Sequence, residues 1–162
     1  MTAGTSSGTA VVTLPTDTQI VITREFDAPR HLVYRAWTTP ELVRRWWYAE
    51  RGEVTAAEID LRVGGSWRFV MVTPSGFEVA FSGEYREIVP DERLVWTETY
   101  EGTPDAEALQ TMTLTERDGR TTMTVVAEHA SRSDRDAVIA SGMEDGLQDA
   151  LNLLERVAVS LR

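Results

Sequence analysis

Six predicted strands follow one another through the middle of the chain, with only short turns between them. They are expected near Val54–Ile59, Ser66–Thr73, Phe77–Ile88, Arg93–Tyr100, Leu109–Arg117 and Arg120–Glu128. Turn-forming sequences separate three of the pairs: TPSG at 73–76, VPDE at 89–92 and the dipeptide Asp118-Gly119. Parallel neighbours need a crossover of a dozen or more residues, which these turns cannot supply. The middle of the chain therefore predicts an antiparallel sheet with its strands in sequence order.

Helical patterns flank this run of strands. A first strand is predicted over QIVITREF, residues 19–26, and two short helices follow in DAPRHLVYRAWT and TTPEL. The chain ends in one long helix, predicted from about Asp134 to Ser160, whose apolar residues recur at alternating spacings of four and three. That helix is the element available to cover one face of the sheet.

Together these elements predict an α+β domain with a curved seven-stranded antiparallel sheet around a long C-terminal helix. The two short helices come after the first strand. Residues 1–18 are mostly small and polar and are expected to form a flexible arm. Residues 19–162 then form a single domain, since no internal repeat or linker indicates a second one.

Charge and composition argue against several classes of function. The formal net charge is −10, and the 16 basic residues, all arginine, are scattered among 26 acidic ones, so neither nucleic acid nor an anionic membrane surface is expected as a partner. No apolar run approaches the roughly 20 residues of a membrane span. The chain has no cysteine, which removes disulfides and fits the reducing cytoplasm, where we expect the protein. The histidines show no metal-ligand spacing and no cofactor motif is present, so no metal or cofactor is expected.

Strand alternation divides the later strands into two faces. The outer face is rich in threonine, as a solvated surface is, and the inner face is rich in aromatic residues and methionine. Such an inner face most often forms an ordinary hydrophobic core, and the alternative is a core that contains a ligand cavity. For the cavity, the candidate ligand-binding residues are Trp47, Trp67, Phe69, Met71, Phe81, Trp96, Glu98, Met112, Met143 and Leu147.

Glu98 and His129 are the polar groups on the predicted inner face. A buried carboxylate without a partner is costly or becomes neutral through a raised pKa, so an inward Glu98 requires an explanation. A bulge or a strand end that places it in water is the alternative. His129 ends its strand and is more readily an edge residue than a base. The catalytic residues are unknown from sequence, and Glu98, His129 and Tyr85 are weak candidates for acid–base roles.

The tandem tryptophans of RRWWY, residues 44–48, cannot both serve the core in the same way, because neighbours on a helix point about 100° apart. We expect Trp46 to anchor the short helices to the rim of the sheet and Trp47 to lean toward the mouth of the cavity. The alternative is that both are ordinary packing residues.

Four segments carry a resemblance to a known family: REFDAPRHLVYRAWTTPELVRRWWYAERG, DLRVGGSWRFVM, FSGEYREIVPDERLVWTETY and GMEDGLQDALNLLERV. In this order they resemble the Hsp90 ATPase activator homologue-like family of the START/Bet v 1-like superfamily (SRPBCC), from about Ile20 to Ala158. The resemblance implies the helix-grip fold, a curved antiparallel sheet around a C-terminal helix. It also implies a cavity between the sheet and that helix.

Two positions depart from the family pattern. The family commonly has tryptophan after the glycine that matches Gly146, where this chain has Leu147, which leaves more room in the implied cavity or changes its shape. A glycine-proline type turn commonly follows the double tryptophan, where this chain has YAERG. The eukaryotic co-chaperone of the family also carries a separate N-terminal domain, which residues 1–18 do not resemble, so a chaperone-activating role is not favoured.

Three functions stay open. The first is binding of a small hydrophobic or amphipathic ligand without catalysis. The second is an enzyme of the polyketide cyclase or hydrolase kind that uses a pocket carboxylate. The third is a stress-related or chaperone-associated protein-interaction module, with a homodimer as one form. We rank them in this order and expect a binding protein rather than an enzyme.

Overall fold

The computed structural model describes residues 9–162, and within them the chain forms eight strands and four helices. In chain order these are β1 (Val11–Thr13), β2 (Gln19–Phe26), α1 (Arg30–Thr38), α2 (Pro40–Trp46), β3 (Glu53–Ile59), β4 (Ser66–Val72), β5 (Glu78–Val89), β6 (Arg93–Tyr100), β7 (Glu107–Arg117), β8 (Arg120–His129), α3 (Arg132–Ala140) and α4 (Met143–Ser160).

All the strands belong to one antiparallel sheet in the order β1-β2-β8-β7-β6-β5-β4-β3. Strands β3 to β8 are neighbours in chain order, as their short turns predicted. Strand β2 pairs with β8, so the first and last long strands meet, and β1 and β3 are left at the two edges. The predicted α+β class and helix-grip architecture are confirmed.

The prediction of seven strands was short by one within the described residues. Val11–Thr13, which lies in the segment expected to be a flexible arm, pairs with residues 21–23 as the edge strand β1. Without β1, the outer edge of β2 would present a row of unpaired N–H and C=O groups, and the sequence Val-Val-Thr has the β-branched composition that suits a strand. Residues 1–8 of the predicted arm lie outside the described residues.

The prediction of one unbroken C-terminal helix was wrong. The chain forms α3, whose N-cap Ser131 accepts a hydrogen bond from the N–H of Asp134 at 3.0 Å, and then a separate helix α4. Between them Gly142 has a φ of 80°, in the left-handed region. Glycine adopts this conformation without the steric cost that other residues incur, so the chain turns where the apolar spacing suggested continuity.

Helix α4 buries one of its faces in the core. Ala150, Leu151, Leu154 and Val157 are buried on one of its faces and join the apolar cluster formed by the inner face of the sheet. Both short helices contact α4, and in addition α1 contacts β7 and β8 while α2 contacts β3. The short helices therefore tie α4 to both halves of the sheet.

One buried ion pair connects β2 to α4. Arg24 is 1% exposed, and its Nη2 donates to the Glu155 carboxylate at 2.8 Å. Its guanidinium carbon lies 4.8 Å from the centre of the Phe26 ring. Glu155 also accepts a hydrogen bond from the N–H of Asp27 at 2.8 Å. Burial lowers the pKa of Arg24, and the charge of Glu155 opposes that change.

Replacing Glu155 by alanine leaves the buried Arg24 without its counter-charge, so we expect the free energy of unfolding to fall by about 3–5 kcal/mol. The double variant Arg24→Met/Glu155→Leu removes both charges and is expected to recover most of that loss. Urea denaturation of the three proteins measures the effect. As a control, Asp60→Ala breaks the exposed pair with Arg62 and is expected to change stability by no more than about 1 kcal/mol. If Glu155→Ala and Asp60→Ala lower the free energy of unfolding equally, the importance assigned to the buried pair is contradicted.

Candidate functional site

One end of the space between the sheet and α4 is incompletely packed. On α4, Leu151 and Leu154 are buried, whereas Met143 and Leu147, which precede them on the same inward stripe, stay partly exposed. Positions at the centre of a buried stripe are normally covered on all sides. The N-terminal half of α4 is therefore less completely buried than its centre.

Burial also decreases along strand β6 of the sheet. Leu94 and Trp96 are buried near the start of this strand, while Glu98 and Tyr100 are partly exposed near its end. Phe81 of β5, which pairs with Tyr100, is also partly exposed. We call the region bordered by Glu98, Phe81 and Tyr100 of the sheet and by Met143 and Leu147 of α4 the recess.

The residues next to Glu98 on the neighbouring strands are small. Glu98 pairs with Ala108 of β7, and Gly83 occupies the adjacent position of β5. A Cβ on Gly83 would lie 1.7 Å from the carbonyl oxygen of Thr97 and 2.8 Å from the indole nitrogen of Trp67. The Trp67 indole N–H donates to the Thr97 carbonyl oxygen at 3.2 Å, and a side chain at Gly83 would collide with both groups. Backbone and a single methyl group therefore flank the carboxylate on both sides.

The loop between α2 and β3, residues 47–52, crosses the recess and is fixed to α4; we call it the strap. A Cβ on Gly146 would lie 2.8 Å from the Tyr48 ring, so the ring rests directly on the helix backbone. Three residues further along α4, the Asp149 carboxylate accepts from Arg51 at 2.6 Å. Tyr48 has a φ of 47°, a left-handed conformation that is uncommon for a bulky residue and is energetically costly. Contacts with α4 therefore hold a strained tyrosine in place.

Aromatic rings surround the recess. The Trp47 ring lies 5.5 Å from the ring of Phe69 and 5.8 Å from that of Phe81. Tyr48 stacks on Phe81 with a centroid distance of 6.4 Å and an interplanar angle of 16°. Phe81 in turn lies 5.2 Å from Tyr100. These contacts make a continuous aromatic wall from the strap to the end of β6.

Burial governs the protonation of the Glu98 carboxyl and the Tyr48 hydroxyl. Burial raises the pKa of the Glu98 carboxyl, and the hydrogen bond that it accepts from Trp96 Nε1 at 3.2 Å opposes that rise. Burial raises the pKa of Tyr48 to about 12, with the negative charge of Glu98 adding to the rise and Arg51 opposing it. The Glu98 carboxyl is thus a poorly solvated group, which makes it a candidate for a functional role.

The three weak catalytic candidates do not contact one another. Within residues 9–162, Nε2 of His129 is buried without a hydrogen-bond partner, and burial lowers the pKa of this imidazole. Ala108 pairs with Glu98 on one side and with His129 on the other. The backbones of Glu98 and His129 are therefore two strand spacings, about 10 Å, apart. Tyr85 lies opposite Trp96, further into the core, where burial raises its pKa.

The structure divides the predicted ligand-binding residues into two groups. Those that border the recess or its wall are Trp47, Phe81, Glu98, Met143 and Leu147. Those that are buried in the core, at 0–6% exposure, are Trp67, Phe69, Met71, Trp96 and Met112. Ligand contact by either group stays a prediction, and the second group supports the recess chiefly by packing beneath it.

Sequence reasoning left two residues of the recess out of the ligand-binding candidates. Tyr100 shares a strand face with Glu98 by simple alternation, and this signal could have identified it. Tyr48 reaches the recess through its left-handed backbone and through Gly146, nearly a hundred residues away. No local pattern encodes that contact.

The adjacent tryptophans have different surroundings. Trp46 is 2% exposed and donates from Nε1 to the carbonyl oxygen of Ala36 at 2.9 Å, which anchors α2 to α1. Its ring lies 4.8 Å from that of Trp37, which contacts Trp96 of the sheet at 5.6 Å. Trp47 instead lies against the wall of the recess. Trp46 thus joins the two short helices and Trp47 lies on the aromatic wall, while contact of Trp47 with a ligand stays a prediction.

Other features of the described chain offer weaker sites. Within residues 9–162 no three His, Asp or Glu side chains are arranged to hold a metal ion, and no helix there is long and apolar enough to cross a bilayer. Two depressions lie elsewhere, one lined by residues 103–106 with Asp134 and one between β1 and the α3–α4 junction, where Met143 also forms part of the lining. Neither of them borders Glu98, so the recess is the candidate site.

The comparisons with known proteins agree with this architecture. The family described as "Activator of Hsp90 ATPase homolog 1-like protein" matches residues 27–158, which include the strap, the recess and nearly all of α4. The chain belongs to this family. No curated protein matches the chain.

Solved structures share the fold with modest sequence identity. A protein from Rhodobacter sphaeroides is 26% identical, with a TM-score of 0.87 over 94% of this chain and 99% of that one. A protein from Chromobacterium violaceum is 28% identical, with a TM-score of 0.77 over 87% of this chain and 97% of that one. A third, described as a protein in the dynemicin biosynthetic locus, is 25% identical, with a TM-score of 0.65 over 88% of this chain and 47% of that one.

Glu98→Gln is expected to stabilise the protein at neutral and alkaline pH, with a gain that shrinks as the pH falls. The folded-state pKa of Glu98 lies above its ordinary value of 4.5. The protonated side chain therefore stabilises the folded protein fully below the ordinary pKa, and this stabilisation is lost as the pH rises through the folded-state pKa. Glutamine keeps the shape of the side chain and never bears the charge. Melting temperatures of both proteins between about pH 5 and about pH 9 measure the difference. Glu107→Gln, on the exposed start of β7, serves as the control. A difference in melting temperature between Glu98→Gln and the unmodified protein that widens toward low pH would contradict the interpretation.

Proposed function

We propose that this protein binds a small hydrophobic or amphipathic molecule in the recess between the concave face of the sheet and α4. The observation that carries the proposal is the incomplete packing of Met143, Leu147, Phe81 and Tyr100 at one end of an otherwise buried core. Leaving large apolar side chains partly uncovered inside a domain gives up burial free energy of about 25 cal/mol per Å². A ligand that covers them recovers it.

The chemistry of the recess fits such a ligand. Small-molecule sites are mostly apolar with a few polar groups that fix orientation, and here the polar groups are the Glu98 carboxyl and the Tyr48 hydroxyl. The Tyr48 ring already occupies part of the space between Phe81 and Gly146. We therefore propose that the ligand enters by displacing the strap, which relieves the strained backbone at Tyr48.

A second candidate function is catalysis of the cyclase or hydrolase kind. It is favoured by the raised pKa of Glu98 and by the unpartnered Nε2 of His129 on the far side of Ala108. The structural relative described as a protein in the dynemicin biosynthetic locus fits a biosynthetic intermediate as the substrate. Mass spectrometry of each recovered ligand before and after incubation with the protein distinguishes conversion from simple binding.

Two further proposals concern the setting of the protein. A cytoplasmic location fits the lack of cysteine, and cell fractionation would test it. A homodimer would place exposed apolar side chains such as Phe77 and Val63, 59% and 64% exposed, at an interface. Light scattering over a range of protein concentrations would reveal such a dimer.

Leu147→Trp fills the recess from the helix side and is expected to weaken ligand binding by at least about tenfold, because the indole occupies the space that a ligand needs. Native mass spectrometry of the protein purified from its expression host, followed by a thermal-shift screen of lipids and small metabolites, identifies the ligands. Titration of the variant with the best of them measures the loss.

Val159→Trp is the matched control, since it adds an indole at the exposed end of the same helix and should leave affinity unchanged. Equal affinity of Leu147→Trp and the unmodified protein would place the ligand elsewhere. If no compound in the screen binds the unmodified protein, the proposed function fails.

A further inference from the structure

The Glu98 carboxyl lacks a cationic partner inside the protein. Among residues 9–162 no arginine forms an ion pair with Glu98, and its hydrogen bond comes from the neutral indole of Trp96 at 3.2 Å. The nearby arginines are engaged elsewhere: Arg51 pairs with Asp149 and Arg68 pairs with Glu101. A buried carboxylate without a counter-charge is unfavourable, so the site can gain free energy from a cation that arrives with a ligand.

The walls around this carboxyl also favour positive charge. Tyr48, Phe81 and Tyr100 form a connected series of rings, with centroid distances of 6.4 Å and 5.2 Å, along the strap and the end of β6. The faces of aromatic rings carry negative electrostatic potential and attract cations, most strongly where water is excluded. Glu98 lies two residues from Tyr100 on the same face of β6, and Tyr100 pairs with Phe81 of β5. The carboxyl therefore lies beside this series of rings.

The aromatic faces narrow the class of cation. A primary ammonium group has three N–H donors, which form stronger hydrogen bonds with water than with the face of a ring, so burying it against rings is costly. A trimethylammonium group has no donors, and its methyl groups contact aromatic faces favourably. Such a head group needs one counter-charge and several rings, which is the combination found between Glu98 and the aromatic wall.

We propose that the recess selects ligands with a methylated ammonium group, which lies between the Glu98 carboxylate and the rings of Tyr48, Phe81 and Tyr100. This inference rests on the proposed function and specifies the charge of the ligand. The apolar remainder of the ligand extends toward Met143 and Leu147 at the rim. The net charge of −10 also raises the local concentration of cations around the protein and speeds their encounter.

An isosteric pair of probes tests the proposal. Choline and 3,3-dimethylbutan-1-ol have the same shape, but choline has a positively charged nitrogen where the alcohol has a neutral quaternary carbon. Isothermal titration calorimetry of the unmodified protein is expected to show choline binding at least about tenfold more tightly than the neutral alcohol. In Glu98→Gln this preference for choline over the alcohol is expected to fall to about twofold or less.

Glu107→Gln is the matched control, because it removes the same charge from an exposed position at the start of β7 and should leave the preference for choline intact. A melting curve for each variant verifies that it is folded. Loss of the preference in both variants would assign it to net charge and overturn the role of Glu98.

The outcomes separate this inference from the proposed function. If the alcohol binds as tightly as choline, or if neither probe binds up to about 10 mM while neutral compounds from the screen do bind, the cation inference is wrong and the ligand-binding function stands. If neither the probes nor any screened compound binds, both fail.

Discussion

The burial of the concave face of the sheet against α4 is the interaction on which the rest of the structure depends. An eight-stranded antiparallel sheet exposes an extended apolar face, and Leu151, Leu154 and Val157 of α4 cover its central part. The pair between Arg24 and Glu155 then restricts where the helix can sit, since moving α4 along the sheet would separate two charges in a poorly solvated interior. The short helices α1 and α2 are placed by the same helix, because both of them pack on it.

The recess follows from how α4 begins rather than from a gap in the sheet. The helix starts at Gly142, and its first two turns carry Gly146 where a larger residue would meet the Tyr48 ring. That glycine lets the strap approach the helix backbone, and the strap in turn brings Trp47 and Tyr48 over the end of β6. Beneath them, Gly83 and Ala108 flank Glu98 on the neighbouring strands. Small residues on separate elements thus bring the strap, α4 and the end of β6 together around a carboxyl that water solvates poorly.

This arrangement links stability to function. Glu98 bears an unfavourable desolvation, Tyr48 an unfavourable backbone conformation, and Met143 and Leu147 an incomplete burial. Each departs from what a core optimised for stability would contain, and all of them border the recess. Natural proteins accept such local conflicts most often at sites that interact with other molecules. Their concentration in one place supports the recess as the functional site more strongly than any single residue does.

The sequence by itself determined the sheet, its antiparallel order and the inward face, because strand alternation and short turns are local properties that tertiary packing rarely overrides. It located Glu98 on that face and separated Trp46 from Trp47 by angle alone. It did not reveal strand β1, whose three residues are stabilised by the edge they cover, or the break at Gly142, where glycine permits a left-handed turn inside a continuous apolar pattern. Tertiary structure alone decided that Tyr48 rests on Gly146 and that Ala108 separates Glu98 from His129. Those contacts join residues far apart in the chain, and their geometry depends on the position of α4, which no local pattern records.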